Sequence, residues 1–291
     1  MADRSRIDRG LYWSKSWRVV SGCEKVSPGC AHCWSERETV MRGKNPNKKI
    51  AERYGGGECT TGGKWNGQVR LAPERVLTEP LRVKKPQMWA AWNDLFHKDV
   101  PFECQRQVFR TMALTPQHTY IVLTKRPERF FSDRNLLQRL WNWSTVCSKE
   151  FSSIDDQLRE MVVNHPPLPN VIGMVTVENQ DAADERIPWL LRAPFVRRGI
   201  SIEPMLSSVN IKMALARGIG KIDWVICGGE SGPKARPMAE EWARGIIRQC
   251  REAGVPVFVK QIHRMTLSGG LRVSKDMAEW PEDLRVREFP K

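Results

Sequence analysis

Cys23, Cys30 and Cys33 stand in the segment Ser21-Gly22-Cys23-Glu24-Lys25-Val26-Ser27-Pro28-Gly29-Cys30-Ala31-His32-Cys33, a C-x6-C-x2-C spacing. Gly22, Pro28 and Gly29 force tight, irregular turns, so one short loop can direct several thiolates toward one point. Thiolates are soft ligands that suit zinc and iron–sulfur centres. An iron–sulfur cluster ordinarily takes one cysteine per iron, so three cysteines on a [4Fe–4S] cluster would leave one iron open to a small molecule. A structural zinc ion asks for four ligands. Cys59, in the glycine-rich stretch 55–63, or His32 could supply the fourth. Spacing alone leaves both readings open, beside a third in which these thiols hold nothing.

An open iron suits S-adenosylmethionine, whose amino and carboxylate groups can chelate it. An electron from the cluster then cleaves the sulfonium to a 5′-deoxyadenosyl radical, while the protein positions the reactants and excludes water. Gly228-Gly229-Glu230 could receive the methionine ammonium through backbone carbonyls and a carboxylate. Lys125, Arg126 or Lys260 could pair with its carboxylate or with an anionic substrate.

These residues need a scaffold, and the apolar pattern supplies one. Short apolar runs recur at 87–92, 118–123, 170–177, 198–202, 222–227 and 255–259, and a further short strand is expected around Trp17–Val20. Continuous runs of this length read as strands buried on both faces. Between them the sequence predicts helices over 102–114, 181–192 and 238–253. The last carries Met238, Trp242, Ile246, Ile247 and Cys250 at helical spacing, with Gly254 placed to end it. Alternating strands and helices imply a parallel sheet with right-handed crossovers. The fold expected is therefore α/β, a partial or complete parallel (β/α) barrel of about seven strands with loop insertions.

Active sites of such folds lie at the carboxyl ends of the strands. Those ends carry Asp94, Lys125, Arg126, Glu178, Asn179, Glu203, Glu230, Lys260 and Gln261, and the cysteine loop follows the first strand. Lys125, Glu178, Glu203 and Lys260 are the candidate catalytic residues, with Asp94 and His97 behind them. Any one of these could be a solvated loop charge, but polar groups at six successive strand ends argue for an enzyme. Cys59, Cys104, Cys147, Cys227 and Cys250 read as packing residues.

The 291 residues are read as a single barrel domain, with a glycine- and lysine-rich insertion at about 42–85 and a C-terminal extension at about 265–291. A second insertion is expected at 141–169, around Trp141, Trp143 and Pro166-Pro167. Trp280, Leu284, Val286 and Phe289 in the extension call for burial. No run of about 18 apolar residues marks a membrane span. The charged N-terminus has no signal-peptide core. A cytoplasmic protein with reduced cysteines is the expectation. The net charge is +14, from 47 Lys and Arg against 33 Asp and Glu. Such an excess favours phosphate polymers, and twelve tryptophans offer surfaces on which bases can stack.

The chain resembles the phage Gp37/Gp68-like proteins, three-cysteine-motif proteins related to radical S-adenosylmethionine enzymes. The resemblance runs through most of the chain. It includes Ser21-Gly22-Cys23, Lys25-Val26-Ser27-Pro28-Gly29-Cys30, Asp94-Leu95-Phe96-His97, Leu123-Thr124-Lys125-Arg126-Pro127-Glu128-Arg129, Val177-Glu178-Asn179-Gln180, Ser201-Ile202-Glu203-Pro204, Gly228-Gly229-Glu230-Ser231-Gly232 and the closing 278–288. Most radical S-adenosylmethionine enzymes space their cysteines C-x3-C-x2-C; here the first interval has three more residues. The resemblance implies a radical-SAM-like barrel with a [4Fe–4S] cluster on Cys23, Cys30 and Cys33, S-adenosylmethionine as cofactor, and a reductant such as flavodoxin or ferredoxin. The phage setting and the positive charge point to DNA as substrate, inside the host cytoplasm. A step in thymine hypermodification, such as isomerisation of an amino-acid-decorated thymine, is the first expectation. A photoproduct-lyase-like repair enzyme, a zinc-stabilised nucleic-acid-binding protein and a cluster-based redox sensor are the alternatives.

Overall fold

The computed structural model describes residues 4–131, 168–216, 220–266 and 269–290. Residues 141–167 of the second expected insertion, with Cys147, lie outside the described residues.

Seven strands form one sheet: β1 (Lys15–Arg18), β2 (Met88–Trp92), β3 (Thr119–Thr124), β4 (Val171–Thr176), β5 (Arg197–Ile202), β6 (Trp224–Cys227) and β7 (Val257–Val259). They lie in chain order and every pairing is parallel, giving a half-barrel whose first and last strands are not joined among the described residues. Four longer helices matter for the site: α1 (Trp34–Gly43), α2 (Phe102–Ala113), α3 (Gln180–Arg192) and α4 (Glu240–Ala253). The last three are the crossovers after β2, β4 and β6, within a few residues of where the apolar spacing places them.

The apolar runs are continuous because both faces of the strands are covered. Val122, Val175, Ile200, Val225, Val257 and their neighbours pack with Val108, Phe109, Met112, Ile187, Leu190, Ile246, Ile247 and Cys250 of the helices. Met88, Ile121, Ile172, Met174, Trp224, Ile226 and Phe258 form a second cluster closed by Ile7, Tyr12 and Trp13 from the N-terminal segment and by Phe289 from the tail. Gly173 in β4 is a packing choice, since a Cβ there would sit 2.3 Å from the Phe195 ring. Gly254 ends α4 in the left-handed conformation at φ 67°, which only glycine adopts at little cost.

The insertion at 42–85 carries short helices, the antiparallel pair Thr60–Thr61 with Lys64–Trp65, and Arg70–Leu71 paired to Val20–Ser21. The C-terminal extension begins with the pair Ile262–Met265 and Leu271–Ser274. Beyond it Trp280, Leu284 and Val286 are buried, and Phe289 is half-buried against Trp224 and Phe258. No helix among the described residues is long and apolar enough to cross a membrane.

Candidate active site

The carboxyl ends of the strands open into a cavity of about 190 Å³. Cys23, Cys30 and Cys33 line it, with Asp94, Lys125, Arg126, Glu203, Gly229, Glu230, Lys260 and Gln261 from the strand ends. Glu178 and Gly228 are adjacent but do not line it. Asn179 and His97 also stand apart: Asn179 caps α3, accepting the Ala182 N–H, and His97 is fully buried. The three thiols are free, each half-buried.

The cysteine loop is held from three sides. Arg126, at the end of β3, donates to the carbonyl of Glu24 at 3.0 Å and to Cys23 Sγ at 3.8 Å. Its guanidinium is fixed by buried Asp94 at 2.7 Å, which also accepts from Thr124 Oγ1 at 2.7 Å and the Phe96 N–H at 3.1 Å. Glu178, following β4, accepts the Gly29 N–H at 3.3 Å and Arg186 Nη1 at 3.0 Å. Gly29 suits this close approach: a Cβ would stand 2.7 Å from Lys125 Nζ and 3.0 Å from the Glu178 carboxyl carbon, so those side-chain ends would have to shift. On the third side Arg236 donates to the carbonyl of Pro28 at 3.0 Å while its Nε and backbone N–H both reach Glu230 Oε2 at 2.9 Å. His32 Nδ1 lies 3.0 Å from the same oxygen.

These contacts set the electrostatics. Burial pushes the Glu230 carboxyl up, but its hydrogen bonds to Arg236 and His32 outweigh that and hold it down at about 2. Burial opposes charge on Glu178 too, yet Lys125, Ser27 and Arg186 keep it below the usual carboxylate range. The Cys23 thiol is pushed up to about 12 by burial and by Asp94, against the pull of Arg126. For Cys30 burial loses to Lys125 and to hydrogen bonds from Val26 and Ser27, so its thiol is lowered.

Gly228 and Gly229 make a close crossing rather than an open cradle. The Gly228 carbonyl accepts the Met205 N–H at 2.9 Å, and the Gly229 carbonyl accepts Gln261 Nε2 at 2.6 Å. A Cβ on Gly228 would come within 3.1 Å of the Gln261 carbonyl. Lys260 is ion-paired to Glu203 and lies over the Tyr12 and Trp13 rings. Lys125 differs from these: its Nζ is buried without a hydrogen-bond partner, 3.5 Å from Glu178.

Residues 8–285 match a family described as "Protein of unknown function (DUF5131)". The chain belongs to that family. No curated protein and no solved structure matches it.

In this DUF5131 chain three free thiols, the donor type that a thiolate-held centre uses, line one cavity next to a buried ammonium that lacks a hydrogen-bond partner. Among the described residues no three Cys, His, Asp or Glu side chains are gathered closely enough to grip a single metal ion. Cys59 is fully buried beneath Gly55, away from the cavity, and His32 is engaged by Glu230. The sequence reading missed Arg236 and Arg186, which carry no local signal, and the cavity-lining rings of Tyr12, Trp34, Trp65 and Trp92. Trp34, directly after Cys33, was the one of these that position alone could have flagged.

Proposed function

We propose that the chain is a radical S-adenosylmethionine enzyme acting on a nucleic-acid base. The carrying observation is that three free thiols of one loop share a cavity with charged groups from successive strand ends of a parallel half-barrel. Cys23, Cys30 and Cys33 would hold a [4Fe–4S] cluster. When bound, that cluster supplies the electron for reductive cleavage of S-adenosylmethionine. The resemblance to the phage Gp37/Gp68-like proteins supports this reading, and with it a radical-SAM-like identity for the half-barrel.

The chain's own residues have separable parts. Lys125 lines the cavity and carries a buried ammonium with no hydrogen-bond partner, suited to the methionine carboxylate or another anion. Glu230, with Arg236, fixes the cysteine loop to the end of β6 and has little capacity left for a ligand. Glu178 does the same beneath Gly29. Glu203 and Lys260, a mutually neutralising pair facing the cavity, are the groups best placed to hold or move a proton at a substrate. The charge of +14 favours a nucleic-acid substrate. Within that class, the phage resemblance favours isomerisation of an amino-acid-decorated thymine, with a photoproduct-lyase-like reaction as the second reading. A flavodoxin or ferredoxin in the host cytoplasm would supply the electron.

Anaerobic reconstitution followed by iron and sulfide analysis and electron paramagnetic resonance tests the proposal. The expected result is about four irons per chain and a reduced-cluster signal that changes shape on adding S-adenosylmethionine. In the Cys30→Ala variant both iron and signal should fall away. A colourless protein holding zinc, or iron content indifferent to Cys23→Ala, Cys30→Ala and Cys33→Ala, overturns it.

A further inference from the structure

One wall of the cavity is aromatic, and nothing in the cluster chemistry accounts for it. Trp34, Trp65 and Trp92 come from three separate elements: the first residue of α1, the insertion, and the end of β2. Trp92 is fixed by ring contacts on two sides, with Trp34 at 4.9 Å and 82° and Trp13 at 5.3 Å and 81°. Trp65 is tied to α1 through its backbone N–H, which donates to Glu36 Oε2 at 2.9 Å. The Trp34 and Trp92 rings are thus held by ring contacts and the Trp65 backbone by α1, yet Trp34 remains 37% exposed and Trp65 half-exposed. The same cavity has polar lining as well, with Thr176, Ser201, Glu203, Lys260 and Gln261 offering donors and acceptors.

Exposed indole rings sharing a cavity with hydrogen-bonding groups match a planar heterocycle that stacks on an aromatic ring and is read along its edge. The surroundings are cationic. Lys48, Lys49 and Lys64 are exposed on the same insertion as Trp65, and Arg37 is exposed one helical turn beyond Trp34. Phosphates are the natural partners of such groups. A cavity of about 190 Å³ is far too small for a duplex.

We infer that the Trp34–Trp65–Trp92 wall seats one base extruded from a nucleic-acid strand, whose flanking phosphates run over the basic insertion. The inference rests on the nucleic-acid substrate class proposed above and adds the subsite that receives the base. Extrusion is the general route by which enzymes reach a base atom.

The test uses the whole chain, reconstituted anaerobically, and a short single-stranded oligodeoxynucleotide carrying one fluorescent adenine analogue that dims on stacking. Trp65 is the residue to change, since it lies outside the cysteine loop. Trp65→Leu keeps apolar bulk and removes the π face; Trp65→Phe keeps the face. The expected result is about tenfold or greater weakening with Trp65→Leu and loss of the dimming, with Trp65→Phe close to the parent protein. Lys48→Ala with Lys49→Ala should weaken binding, flatten its salt dependence and leave the dimming in place. Unchanged affinity and dimming in Trp65→Leu overturns the subsite while leaving the nucleic-acid reading intact. A parent protein that binds neither DNA nor RNA oligonucleotides at low salt removes the substrate class itself. If Trp65→Leu instead abolishes only the tryptophan-fluorescence change caused by S-adenosylmethionine, the wall holds the cofactor's adenine and the inference is wrong.

Discussion

Arg126 joins several parts of the site. It reaches the cysteine loop at Glu24 and Cys23 and is itself set by Asp94, and both partners of that pair are less than a tenth exposed. Removing one member of a buried pair leaves an uncompensated charge, which costs about 3–5 kcal/mol. Arg126→Ala should therefore lower unfolding stability by that order in urea titrations and reduce the iron retained after reconstitution. Arg126→Ala combined with Asp94→Ala should recover part of the stability but none of the loop anchoring. A double variant no more stable than Arg126→Ala would show that the stranded Asp94 charge is not what destabilises the single variant.

At the scale of elements, the strand ends divide into groups that face the cavity and groups that start the next helix. Asn179 belongs to the second set. Its extended backbone and its acceptance of the Ala182 N–H at 2.9 Å make it the N-cap of α3. Losing such a cap costs about 1 kcal/mol. Asn179→Ala should lower stability by that amount with iron content unchanged, and Asn179→Asp should restore it. A loss of iron without loss of stability would return Asn179 to the site.

For the whole molecule, acid sensitivity follows from histidines buried in neutral form. His263 accepts the Met238 N–H through Nδ1 at 3.2 Å, and burial lowers its pKa. His97 is lowered by burial and by Arg126. A lowered folded pKa means that the unfolded chain binds the proton first. Stability from these groups is thus complete above the unfolded value of about 6.5 and is lost as pH falls through it toward the folded values. Each histidine contributes a slope of at most about 1.4 kcal/mol per pH unit. The denaturation midpoint should fall between pH 7.5 and 5.5, and His263→Gln, which can still accept the backbone N–H, should flatten that fall. An equally steep profile in His263→Gln would assign the sensitivity elsewhere. Glu230 and Glu178, held below the usual carboxylate range, add their losses only at lower pH.

The parallel half-barrel was legible in the sequence because strands covered on both faces must be apolar at every position, and that signal is local. Val171–Thr176 and Trp224–Cys227 show it most plainly. The cysteine loop and the polar strand ends were legible for the same reason: each is a short contiguous motif. Which polar ends face the cavity was decided only by tertiary packing. Arg126 meets Cys23 across 103 residues and His32 meets Glu230 across 198, so no window of sequence holds either contact. The aromatic wall is the extreme case, with rings from three separate elements brought together because the insertion and α1 fold over the open end of the strands. Spacing along the chain fixes which residues share an element; the closing of one element upon another fixes which of them share a site.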